Sequence, residues 1–531
     1  MDTMRKIKLI LSFLTLLSLS LSAQDFKVVR DNCMPAPEGV DDVVETRLTG
    51  MRKVLPQINR DWNPEKTYHQ LVILMSFSDT DFNIDNPVAE YDKILNQSGY
   101  NKRQGPGCMA DYFRDQSGGM LNLEFDVYGP YKVSGKAQPY SSPSSDTRNY
   151  GRTDMIEATN LFLADHQEID FSQYDWNGDG SVEQVIYVYA GLSGNISSTD
   201  CYGHIWPNTN TFTTITTHDG KKISNYTCSG EHWPMTNKAS CGFGTISHEF
   251  THSLGLPDIY PTAGEGFSVV DEWDLMDGGN FTNYGWCPPE YTALEKWLMG
   301  WISFKELDEP TTVVGLKPVS EGGDVYRIKH SDSEWLLLEN RQQRGWDAGA
   351  PGSGLVIYHV FYDGSVWQGN KVNTDKNKRR FHLFNADNRD YDAWDGYLDE
   401  KGLGTYANAG RMNSRYLSTS PYPWTNETTM DVNDELTDSS VPAAKMNYPN
   451  AKGELMLSKP ITNISVDDDG LVSFDFMGGS TPTAIRGMAR QSGHEAVVAY
   501  DLNGRRLSQP SRKGIYILRQ SDGTIVKKVF K

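Results

Sequence analysis

Apolar positions in the first half of the chain alternate between two rhythms. Leu71-Val72-Ile73-Leu74-Met75 is a short apolar run with polar flanks and predicts a buried strand. Met109 to Gln116 has helical spacing, and Leu121 to Tyr128 alternates as a strand does. Asp154 to His166 predicts an amphipathic helix and Val182 to Tyr189 a further strand. Strands that alternate with helices point to an α/β domain with a mixed sheet. From about Ile302 the texture changes. Short runs such as Trp335-Leu336-Leu337-Leu338 and Leu355-Val356-Ile357-Tyr358 are separated by Gly, Asp, Asn and Ser clusters, the pattern of an all-β sandwich. Asp363 to Asn450 is weakly patterned and yields no element. A last strand pair is expected near Ile461 to Phe476, before the linker-like Gly478-Gly479-Ser480-Thr481-Pro482.

The N-terminal apolar run has another meaning. Arg5, Lys6 and Lys8 precede Leu9 to Leu21, and Ser22-Ala23 supplies small residues before Gln24. Charge, apolar core and cleavage site arrive in the order of a signal peptide over 1–23. The run is too short to span a bilayer comfortably, and no later stretch is long and apolar enough to do so. No Cys stands immediately after the cleavage point, so no lipid anchor is expected. Residues 24–66 are polar and too few for a core of their own, and read as a pro-segment or N-terminal strap. At 531 residues the chain should hold two or three domains. Its net charge of −19 argues against nucleic acid as a partner. Six cysteines, Cys33, Cys108, Cys201, Cys228, Cys241 and Cys287, can oxidise in an exported chain, and their pairing is open.

The chemistry centres on His248-Glu249-Phe250-Thr251-His252-Ser253-Leu254-Gly255-Leu256-Pro257-Asp258. Residues four apart share one face of a helix, so His248 and His252 can aim at one ion. Zinc accepts neutral imidazole and, in catalytic sites, keeps a position open for water. Glu249, next to the first ligand, is placed to take the proton of that water. A third ligand so soon after His252 requires a sharp exit from the helix. Gly255 tolerates the left-handed stop, Pro257 bars continuation, and Asp258 offers a carboxylate. His-Glu-x-x-His alone arises by chance in such a chain at about the one-per-cent level; Gly255 and Asp258 lower this to the order of one in ten thousand.

Downstream lies Trp273-Asp274-Leu275-Met276-Asp277-Gly278-Gly279. Metzincins carry a Met-containing tight turn beneath the zinc site, and Met276 fits that role. Together, the His-Glu-Phe-x-His-x-Leu-Gly-Leu-Pro-Asp motif and Trp-Asp-Leu-Met resemble the immune inhibitor A family of metallopeptidases. Asp111-Tyr112-Phe113-Arg114-Asp115-Gln116-Ser117, Val127-Tyr128-Gly129-Pro130 and Glu339-Asn340-Arg341-Gln342 are also similar to stretches of that family. The resemblance covers roughly Leu71 to His359. It implies a zinc endopeptidase in which His248, His252 and Asp258 hold the ion and Glu249 is the acid/base. Tyr284, just past the Met turn, is a candidate donor to the tetrahedral oxyanion; packing is its other open role.

Three features lie outside that motif. Asp175-Trp176-Asn177-Gly178-Asp179-Gly180-Ser181-Val182-Glu183 carries oxygens at alternate positions with Gly at the sixth, as in the start of an EF-hand loop. Asp175, Asn177, Asp179, Ser181 and Glu183 are therefore candidate calcium ligands, although Ile186 stands where the closing Glu belongs. An ordinary Asp/Asn/Gly turn is the alternative. Cys33 in the pre-catalytic segment is a candidate latency thiol or a disulfide partner. The tail, Ala484 to Lys531, has ten basic residues against three acidic ones, a net of +7 in an otherwise acidic chain. Tyr500-Asp501-Leu502-Asn503-Gly504-Arg505-Arg506, Gly514-Ile515-Tyr516-Ile517 and Lys527-Lys528-Val529-Phe530-Lys531 resemble the C-terminal sorting domain of the type IX secretion system. That implies a Bacteroidetes-type Gram-negative source and delivery to the cell surface or medium by the type IX machinery.

The expectation is an α/β (α+β) metzincin-like catalytic domain over 67–301, an all-β sandwich over 302–478 and a small β sorting domain over 484–531. Zinc and calcium are the expected cofactors, and proteins or peptides the substrates. The rival is a surface adhesin with a vestigial peptidase domain, against which the intact Glu249 argues.

Overall fold

The computed structural model describes residues 62–480, except 104, 138–150, 196–203, 234, 235, 237, 263–268, 376 and 391–416; beyond 480 it describes the backbone of four strands. The signal peptide, almost all of the 24–66 segment, Cys33 and Cys201 lie outside the described residues. The chain divides into two compact units, Met1–Gly479 and Ser480–Lys531.

The first half of the larger unit is a five-stranded mixed sheet. Strand β1 (Thr67–Ser76) lies between β2 (Asn122–Lys132) and β3 (Val185–Leu192), parallel to both. Beyond β3 come β5 (Lys222–His232), parallel to it, and β4 (Asn208–Thr216), antiparallel at the edge. The Leu71–Met75 run is continuous rather than alternating because helices cover both faces of β1. Leu71, Ile73 and Met75 pack with Met155 and Phe162 of helix α3 (Arg152–Asp165). Val72 and Leu74 face the other way, into the core formed with α1 (Pro87–Asn96), α2 (Met109–Gln116) and α4 (Gly244–Leu254). Helix α2 has the bounds that its spacing predicts. Strands β4 and β5 carry no apolar signature, since runs such as Asn208-Thr209-Asn210 place short polar side chains in buried positions.

After α5 (Ala293–Leu298) the chain becomes mostly β. A sheet runs in the order β11 (Phe381–Leu383), β10 (Gly354–Phe361), β9 (Glu334–Arg341), β8 (Tyr326–Lys329) and β6 (Lys305–Glu306). A smaller sheet joins β14 (Ile461–Val466), β15 (Val472–Phe476) and β7 (Thr311–Leu316). A minor pair, β12 (Trp424–Thr425) and β13 (Val432–Asn433), and a short helix α6 (Gly364–Gln368) fall in the unpatterned tract. The two sheets enclose Leu336, Leu338, Leu355, Ile357 and Phe474. The opposite face of β9 and β10 is not solvated: Trp335, Leu337, Val356 and Tyr358 join the core that holds Phe250 and Leu254 of α4. Burial on two faces is why these runs read Trp-Leu-Leu-Leu and Leu-Val-Ile-Tyr rather than alternating.

Charges are buried where these parts meet. Arg341 Nε donates to Asp347 Oδ2 at 2.6 Å and its Nη1 to Glu339 Oε1 at 3.0 Å. Glu339 accepts from Ala293 N at 3.1 Å, and Asp347 from Glu290 N at 3.0 Å. Lys296 Nζ pairs with Glu290 at 2.6 Å. Removing one partner from a buried set of this kind costs about 3–5 kcal/mol. In the separate tail, four strands run in the order β17 (Arg506–Leu507), β16 (Ala496–Tyr500), β18 (Gly514–Gln520) and β19 (Ile525–Phe530), all antiparallel.

One buried pair has a measurable consequence. Glu295 closes the N-terminal cap of α5, accepting from Thr292 N at 2.8 Å. Its other carboxyl oxygen and Asp274 Oδ2 are buried without a donor; burial raises both carboxyls, and repulsion from Glu295 adds to the shift at Asp274. One proton shared between them would satisfy both oxygens. Burial pushes Glu295 up to about 7 from 4.5. An acid raised on folding contributes stability that is complete below its unfolded value and lost as pH rises through the folded value. Glu295→Gln keeps an acceptor for the cap and supplies a donor to Asp274. Its melting temperature relative to the wild type is expected to climb between pH 4.5 and about 7. A constant difference across that window would refute the shared proton.

Candidate metal centre

Helix α4 carries both histidines and begins against the turn at 278–285. A Cβ on Gly244 would lie 2.2 Å from Asn280 O, so only glycine permits this approach. The helix ends at Gly255, whose φ of +112° turns the chain sharply while its N–H still bonds to Thr251 O. Asp258 thereby returns to the helix face it has just left.

His248 and His252 stand one turn apart, ring centroids 4.8 Å from each other and planes at 88°. Each Nδ1 faces a main-chain carbonyl: His248 with Leu275 O at 2.7 Å, His252 with Leu256 O at 2.8 Å. A carbonyl only accepts, so the Nδ1 atoms are the donors and each Nε2 presents a lone pair. Both Nε2 atoms point at Asp258 Oδ1, 3.2 and 3.1 Å away. All three side chains are buried. Despite its nearness, His248 Nε2 makes no well-aligned hydrogen bond, and neither it nor Asp258 Oδ1 has another partner. Two orphaned buried atoms of this kind call for a cation. Ligand atoms at about 2.0–2.1 Å from a tetrahedral zinc sit about 3.3 Å apart, close to the separations found. Burial opposes charge at Asp258, yet His252 and His248 hold its carboxyl well below the usual range. Asp258 in turn raises His248 against its burial.

The turn bearing Met276 braces this group. Leu275 O receives His248, and Met276 O accepts from Ile259 N at 2.9 Å, next to Asp258. Asp274 Oδ1 fixes the turn through Met276 N at 2.6 Å. Met276 itself is buried in the core under the helix. Glu249 is fully buried beside the sheet edge: its Oε2 is 3.4 Å from Thr209 Oγ1 on β4, and Thr209 and Thr227 both donate to its main-chain oxygen.

Three other residues of this site carry no signal in the sequence. Tyr260 lies parallel to the His248 ring, centroids 6.5 Å apart. Asn370, beyond α6, donates from Nδ2 to Asp258 Oδ2 at 2.7 Å and accepts at Oδ1 from Asp258 N at 2.7 Å. Asn373 donates to Ile259 O at 2.7 Å. Both asparagines come from the tract in which no element was expected. Tyr284 has a φ of +60° and lies under the Arg103 guanidinium, 4.0 Å from its ring centroid, packed against the Trp233–Phe281 cluster.

At the 175–183 loop, Asp175 accepts from Asp179 N at 3.0 Å and Gly180 N at 2.9 Å. Asn177 Oδ1 accepts from Asp179 N, and Asp179 Oδ1 from Ser181 N. Lys221 Nζ sits 2.7 Å from Asp175 Oδ2 and provides a cation from the chain itself. Glu183 lends main-chain atoms to the neighbouring fold, with its N–H on Tyr174 O. Cys108, Cys228, Cys241 and Cys287 are all buried free thiols.

Residues 62–303 match the family model described as immune inhibitor A peptidase M6, catalytic domain. The chain is 23% identical over 370 residues to immune inhibitor A of Bacillus thuringiensis subsp. alesti, covering 61% of this chain and 52% of that protein. It is 25% identical over 232 residues to the pre-pro-metalloprotease PrtV of Vibrio cholerae serotype O1, covering 39% of this chain and 25% of that protein. The chain thus spans about half of the first relative and a quarter of the second. With these likenesses and its buried His-His-Asp group, the region 62–303 is similar to the catalytic domain of the immune inhibitor A, peptidase M6 metallopeptidases.

Proposed function

We propose that the whole chain is an exported zinc-dependent endopeptidase acting on proteins. The observation that carries this reading is the convergence of His248 Nε2, His252 Nε2 and Asp258 Oδ1 in a buried site next to Glu249. Zinc is the ion that this donor set suits: two neutral imidazoles and one carboxylate leave a fourth position open. Bound there, zinc supplies Lewis-acid chemistry, acidifying water and polarising a scissile carbonyl. The protein's own residues do the rest. Glu249 accepts the proton of the attacking water and returns it to the leaving amine. The main-chain carbonyls of Leu275 and Leu256 keep both imidazoles in the Nδ1–H form, ready to bind through Nε2. Tyr284 and Tyr260 are the phenols to examine as oxyanion donors; the stacking of Tyr260 beside His248 favours Tyr260. The signal-like N-terminus and the basic C-terminal β unit support export through the type IX machinery to the surface or medium.

Calcium is the proposed second cofactor. The alternating oxygens of Asp175 to Glu183 support it, and the ion has to share Asp175 with Lys221. Removing calcium is expected to lower the melting temperature with zinc retained. Lys221→Met should enlarge that shift by freeing Asp175. No calcium response in either protein reduces the loop to a plain turn.

Glu249→Gln should keep zinc and fold while kcat/KM on casein falls by several orders of magnitude. Asp258→Ala should lower zinc content itself, read by metal analysis of the purified protein. Retained turnover in the first variant, or full zinc in the second, removes the mechanism or the third ligand respectively.

A chain cut at Ser480 is expected to fold and cleave casein yet stay in the periplasm of its native host. Normal delivery without the tail removes the sorting role; loss of folding makes the tail part of the core.

A further inference from the structure

We propose that Asn370 is a positioning residue of the metal centre, so that the β region after the peptidase domain completes the site. The inference rests on the zinc reading above and adds to it a residue well outside 62–303.

The carboxamide of Asn370 meets Asp258 at two points. The main-chain N–H of Asp258 can only donate, so it must face Asn370 Oδ1, at 2.7 Å. Asp258 Oδ2 can only accept while ionised, so it must face Nδ2, also at 2.7 Å. This arrangement reserves Oδ1 of the carboxylate for the two imidazole nitrogens and whatever ion they share. A buried carboxylate oxygen left without a donor is costly. A neutral amide satisfies it without cancelling the charge that an ion needs, as Lys or Arg would.

The fold is shaped to deliver this group. Asn370 follows α6, whose N-terminus is capped by Asp363 through Ser365 N at 3.0 Å. Its backbone has a φ of +55°, a left-handed conformation that Asn tolerates better than most residues. Thr262 Oγ1 donates to its main-chain oxygen, so the ligand loop and the Asn370 loop hold each other. Three residues on, Asn373 Nδ2 bridges Ile259 O at 2.7 Å and Phe381 O at 2.9 Å, tying the residue after Asp258 to β11. The stretch from Asp258 to Thr262 is therefore clamped at three places by residues 370–373.

The test uses the full chain with zinc as the probe. Zinc affinity is measured by competition with the chelator pyridylazoresorcinol for wild type, Asn370→Ala and Asn370→Asp, and each protein is also loaded with cobalt(II) for its visible spectrum. Loss of a residue that orients a ligand weakens metal affinity about 10–100-fold. That range is expected for Asn370→Ala, and a larger loss for Asn370→Asp, where carboxylate meets carboxylate. The cobalt spectrum should change in both, because Asp258 is no longer held in one orientation. Melting of the metal-free proteins separates this from a general loosening, which would lower stability and leave affinity and spectrum alone. Wild-type affinity and spectrum in both variants overturn the proposal. So does failure of both variants to fold, which makes Asn370 a residue of the fold alone. Unchanged zinc content in Asp258→Ala removes Asp258 as a ligand and with it the zinc reading on which this proposal rests, a result distinguishable from either.

Discussion

Two imidazoles on one helical turn serve a metal only if each Nδ1 is already occupied, and a helix cannot supply the acceptors from its own backbone. That requirement organises the protein. Acceptors must come from chain outside α4, and they do: Leu256 O from the turn just after it, Leu275 O from the Met276 turn. The Gly255 exit and the Asp271–Gly279 stretch are thus parts of one device that fixes the tautomer and direction of both rings.

Fixing the Met276 turn passes the demand inward. Asp274 holds the turn through Met276 N and is itself buried against Glu295 at the cap of α5. The segment leading into α5 is anchored to β9 through Glu339, Arg341 and Asp347. A chain of buried polar contacts therefore leads from the ligand group into the second sheet. Each link is acceptable in a dry interior only because its partner is present, so the network ties the downstream β region to the region of the His-His-Asp group more specifically than apolar packing alone would.

The second sheet differs accordingly from an appended sandwich. One face of β9 and β10 closes over Phe474 and its neighbours, while the other completes the core beneath α4. From the same region Asn370 and Asn373 return to the Asp258 loop. The family model ends at residue 303, but the group that satisfies the far oxygen of Asp258 lies beyond it.

How much of this the sequence determined by itself depends on how local the cause is. The zinc-type motif, the helix that presents it, the stop at Gly255 and the buried β1 run are set by spacing within a few residues, and such spacing can be read directly. Strands β4 and β5 could not be read, because buried Thr and Asn leave no apolar pattern; β5 is a strand because β3 offers it a partner, and β4 because β5 does. The 175–183 alternation was legible as a candidate cation loop, but Lys221 reaching Asp175 from the turn between β4 and β5 was not. Asn370 lies in a tract without periodicity, and 112 residues separate it from Asp258. Its role arises only when folding brings a donor and an acceptor on its amide against an acceptor and a donor on Asp258. Local spacing chose the candidate ligands; the tertiary structure decided what holds them, since hydrogen-bond partners over such separations are selected by packing and leave no mark on the order of residues.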